Sequence, residues 1–152
     1  MVQNRLMPSQ NGSSVSTADQ LLDEFQRIEQ AWRRAEEKLA ETRVPIDVRI
    51  KVKEGGIYDD DERSQIGCYT HYLAYTKVKG NRRICWECDR AFSQHEESEC
   101  KPVAEMPVDI RIEMFDHFAS LYRDAESVAK SYLPKLQAAR EKFENTLEWI
   151  DL

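Results

Sequence analysis

From Phe115 to the end of the chain, apolar side chains return every three or four residues. They fall at Phe115, Phe118, Tyr122, Ala125, Ala129, Tyr132, Leu136, Ala139, Phe143 and, after a slot taken by Thr146, Ile150. That spacing draws one stripe along an α-helix, and a helix with a single apolar stripe must bury it against something. Near the other end, Leu21, Phe25, Ile28, Trp32, Ala35 and Leu39 form a matching stripe. Thr17-Ala-Asp-Gln20 has the spacing of a capping box, so the spacing predicts a first helix from Thr17 to about Thr42, ended by Pro45.

Between the helices the period changes to two. Ile46, Val48, Ile50 and Val52 alternate with charged residues, which predicts a strand ending at Gly55-Gly56. A second strand is expected over 67–78 and a third over 82–91, joined by a two-residue turn at Gly80-Asn81. That turn pairs Tyr75 with Trp86 and Leu73 with Cys88, placing Ile84 with them on the core face. Residues 59–62 and 92–106 read as acidic loops. Pro107 suits the first turn of a helix. Pro134 predicts a break or kink in the long seam, since proline inside a helix costs about 3 kcal/mol. The expected fold is α+β: an N-terminal helix, a three-stranded antiparallel meander, then two C-terminal helices, or one helix kinked at Pro134, packed on one face of the sheet. Residues 1–16 read as a flexible tail and 17–152 as one domain. The seam is filled either within the chain or across a homodimer.

Composition narrows the class. The chain is 41% hydrophobic and 33% charged, as globular chains are, and no apolar run approaches the roughly 20 residues of a membrane span. MVQNRLMPSQNGSSVS lacks the apolar centre of a secretory signal, so a cytoplasmic location with free thiols is expected. A net charge of −6 disfavours broad binding to nucleic acid.

Zinc is the sharpest chemical alternative. Cys68 and His71, Cys85 and Cys88, and His95 and Cys100 are short-spaced pairs of the kind that build tetrahedral sites. Residues three apart in a strand point to opposite faces, however, so the paired ligands should diverge. No helix follows Cys85-Trp-Glu-Cys88 to stabilise a thiolate, and Cys100 lies among glutamates. Asp59 to Glu62 do not follow the spacing of a calcium loop. No catalytic constellation stands out, so no enzyme activity is expected.

Two binding readings remain. Lys77, Lys79, Arg82 and Arg83 crowd the hairpin tip and suit a nucleic-acid contact. The order α-β-β-β-α also resembles that of double-stranded-RNA-binding domains, in which the start of the last helix meets phosphates. The corresponding Val108-Asp-Ile-Arg-Ile-Glu113 carries acids where that family has lysines. The leading expectation is a regulatory interaction module, an inhibitor or antagonist that binds a larger protein. Its contacts would come from Asp59, Asp60, Asp61, Glu62, Glu96, Glu97 and Glu99, with Trp149 as an aromatic anchor.

Overall fold

A computed structural model describes residues 15–61 and 63–152. The expected tail over residues 1–14, and Glu62, lie outside the described residues. Helix α1 is Thr17–Thr42. Its cap is Ser16 rather than Thr17, the Ser16 hydroxyl accepting the Asp19 N–H at 3.1 Å. Arg43 turns the chain out of the helix in the left-handed region, at φ 53°.

Four strands follow, β1 (Val48–Tyr58), β2 (Gln65–Val78), β3 (Asn81–Phe92) and β4 (Glu96–Pro102), antiparallel in the order β1-β2-β3-β4. The β2–β3 turn is Lys79-Gly80, both at positive φ, one residue earlier than expected. Leu73 therefore pairs with Trp86 and Tyr75 with Ile84. A shift of two residues preserves the faces, so Leu73, Tyr75, Ile84, Trp86 and Cys88 all enter the core with Val48. β1 runs on through Gly55, where the ring of Tyr69 crosses the strand. A Cβ there would lie 2.7 Å from the Tyr69 hydroxyl.

The fourth strand corrects the expected second acidic loop. Two side-chain contacts cross the pair: Arg90 meets the Glu99 carboxylate at 3.3 Å, and Ser98 donates to Asp89 at 3.0 Å. Pairing also covers an edge of β3 that a three-stranded sheet would leave open. The order α-β-β-β-β-α-α accordingly departs from that of the double-stranded-RNA-binding domains.

After a single 3-10 turn (Val103–Glu105) come α2 (Val108–Phe115) and α3 (Phe118–Asp151). The break falls at Asp116-His117, and α3 runs on as one helix through Pro134. Proline there deprives only the carbonyl of Lys130, an exposed residue whose carbonyl water can satisfy. Met114, Leu121 and Ala125 are fully buried with Trp32 and Leu39 of α1 beneath the sheet. Trp32 stacks on Phe115 with ring centroids 5.3 Å apart. Farther along, Thr42 and Arg43 lie beside Ala129 and Leu133. The two long helices thus run in the same direction, offset along their axes.

Candidate interaction surface

That offset leaves both helices longer than the body they cover. Burial on α1 begins at Ile28, so Leu21, Leu22 and Phe25 are exposed. On α3 every residue from Leu133 onward is exposed, an overhang about 28 Å long at 1.5 Å per residue. The apolar stripe does not stop where the packing stops. Leu136, Phe143 (62% exposed), Leu147 and Ile150 continue the line that Leu121, Ala125 and Ala129 bury farther back. At 100° per residue, Trp149 stands about a third of a turn off that line and is 74% exposed. Where the overhang leaves the body, a groove of about 340 Å³ opens between Thr42, Arg43 and Pro45 on one side and Ala129, Tyr132 and Leu133 on the other.

Register places the acidic residues far from this helix. The β1–β2 connection with Asp59, Asp60 and Asp61 and the start of β4 lie at one end of the sheet. The Lys79-Gly80 turn and the start of β1 lie at the other, and Pro45, which lines the groove, precedes that strand. The anchor and the acids therefore do not form one patch. Asp59 is used locally, its carboxylate accepting the Arg63 N–H at 3.1 Å. Glu99 is held by Lys101 and Arg90, which keep its carboxyl below the usual carboxylate range. Glu97 faces His95 at 3.2 Å, and Glu96 is exposed.

The basic hairpin tip is partly spent inside the fold. Arg82 binds Asp47 at 3.2 Å and donates to the Pro45 carbonyl at 3.1 Å. Arg83 binds Glu36 of α1 at 2.8 Å, and the same carboxylate accepts the Ile84 N–H at 2.9 Å. Lys77 and Lys79 are exposed.

The sulfur and imidazole groups divide between faces. Cys88 is in the core, while Cys85 and Cys100 share the outer face across the β3–β4 pair, with Cys100 Sγ 3.7 Å from Glu87. Burial raises the pKa of all three thiols, so each favours the neutral form. His71 packs between Tyr69 and Trp86, at 4.8 and 5.1 Å, and burial, followed by Lys53, lowers its pKa. His95 stacks on Phe92, and Cys68 is exposed at the acidic end. Among the described residues no three His, Cys, Asp or Glu side chains converge as a metal site would need. No helix among them is long and apolar enough to cross a membrane.

Sequence reasoning missed the overhang itself, because it assigned the whole stripe of α3 to a seam. One signal was available: the stripe of α1 is much shorter than the stripe it was meant to cover. Comparison of the chain with protein-family models, with curated proteins and with solved structures finds no match.

Proposed function

We propose that the protein is a non-enzymatic interaction module that regulates a larger protein, as an inhibitor or antagonist, by docking on it. The observation that supports this reading is the second half of α3, a helix held clear of the body with Trp149 on its surface. Aromatic side chains of this kind bring large apolar area with few rotatable bonds, which suits an anchor. The carboxylates at the far end of the sheet supply long-range steering and orientation rather than part of the same contact.

Affinity capture from cells of the source organism with the full chain tests it. Wild type should retain a defined protein, and Trp149→Ala should weaken that capture by about tenfold or more. Glu96→Lys with Glu97→Lys should slow association and flatten or invert its salt dependence. Capture of nothing, or capture indifferent to Trp149, contradicts the reading.

A further inference from the structure

We infer that the apolar stripe of the α3 overhang is covered by the same stripe of a second copy, running antiparallel. The inference rests on the overhang being an interface, and names what covers its stripe.

Charge fixes both the occupant and the direction. From Lys130 to Arg140 the helix carries Lys130, Lys135 and Arg140 and no acid. From Glu141 to Asp151 it carries Glu141, Glu144, Glu148 and Asp151 against the single Lys142. One half is basic and the other acidic, so an antiparallel copy sets each half against its opposite, twice by symmetry. A parallel copy sets like against like, which costs affinity.

Apolar positions agree with that direction. Centring the twofold axis near Glu141 brings Ile150 of the second copy to Tyr132, Leu147 to Leu133, and Phe143 to Ala139. In the same register Glu144 of the second copy reaches Arg140, which already pairs with Glu144 of its own chain at 2.9 Å. The last turn of the second copy then enters the groove at the base of the overhang. Ile150 would meet Ala129 and Tyr132 there, and Asp151 would lie between Lys130 and Arg43, both at the groove. A twofold contact of this kind is closed, so association stops at the dimer. Trp149, a third of a turn away, stays outside the seam and free for another protein.

The test is sedimentation of the full chain across a range of concentrations, with circular dichroism confirming the fold of each variant. Wild type should reach twice the 17.8 kDa monomer mass by about 100 µM. Phe143→Glu should remain monomeric. Lys130→Glu and Asp151→Lys should each weaken the dimer by about tenfold, and together should restore most of it. Those two residues are about 31 Å apart on one helix, so restoration requires contact between chains. A monomeric wild type overturns the inference, as does a dimer unaffected by Phe143→Glu. Charge variants that fail to compensate overturn the antiparallel arrangement. Mass growing past the dimer overturns it too, by pointing to open-ended pairing of the α3 overhang with exposed α1. A monomer whose capture of a larger protein still depends on Trp149 removes this inference alone and leaves the proposed function standing.

Discussion

Glu36 shows how much one side chain carries that periodicity does not announce. On the sequence it is one of many charges on the wet side of α1. In the fold it caps the edge of β3 beyond the end of β4, binding Arg83 and the Ile84 N–H together. Glu36→Ala leaves a backbone donor and a guanidinium without their partner. It should lower stability by about 1–3 kcal/mol in urea denaturation, well beyond an ordinary surface change. The cysteines were more legible, because alternation alone put Cys85 and Cys88 on opposite faces. What alternation could not supply was the β4 register that brings Cys100 beside Cys85. Cys85, Cys88 and Cys100 are all shifted toward the thiol form, but only Cys85 and Cys88 are buried, whereas Cys68 and Cys100 are exposed. At mildly alkaline pH, a thiol reagent should therefore modify Cys68 and Cys100 in the folded protein and reach the other two only on unfolding. Four equally reactive thiols would contradict this placement.

Among the elements, those with a strong period were readable and those held by cross-strand charge were not. The α1 limits, the strand faces and the hairpin follow from local pattern and turn chemistry. β4 does not, because Glu96, Glu97 and Glu99 resemble a solvated loop until Glu99 is seen with Arg90 across from it and Lys101 beside it. The helix break was misplaced for a related reason. Pro134 is a strong local signal, but the carbonyl it leaves free sits on exposed helix where water can reach it, and the helix runs on through it. Asp116-His117 carries no such signal, yet it reorients the chain so that Met114 and Leu121 both reach the core. Close packing of β2 on β3 sets a further test at Gly67, where a Cβ would stand 2.5 Å from the Ala91 carbonyl oxygen. Gly67→Ala should cost about 1–3 kcal/mol as the strands move apart, read as a lower urea midpoint. A midpoint equal to wild type would contradict that contact.

At the scale of the whole molecule, the sheet has an acidic end and a hairpin end, and α3 leaves the body near the second. This layout explains why a sequence pattern that implied one long seam gives only half of one. α1 and α3 run in the same direction with an offset, so each covers the other over a limited stretch and both project beyond it. A projecting helix of this length is marginal in water without a partner. Its stripe, its divided charge and the groove at its base are all used if another chain lies along it. Backbone amide hydrogen exchange over residues 133–151 in the full chain, at low and high protein concentration, tests this most directly. The account predicts rapid exchange when dilute, slow exchange when concentrated, and rapid exchange at both concentrations in Phe143→Glu. Slow exchange that ignores concentration and survives Phe143→Glu would mean the helix is covered within its own chain, and would contradict the account.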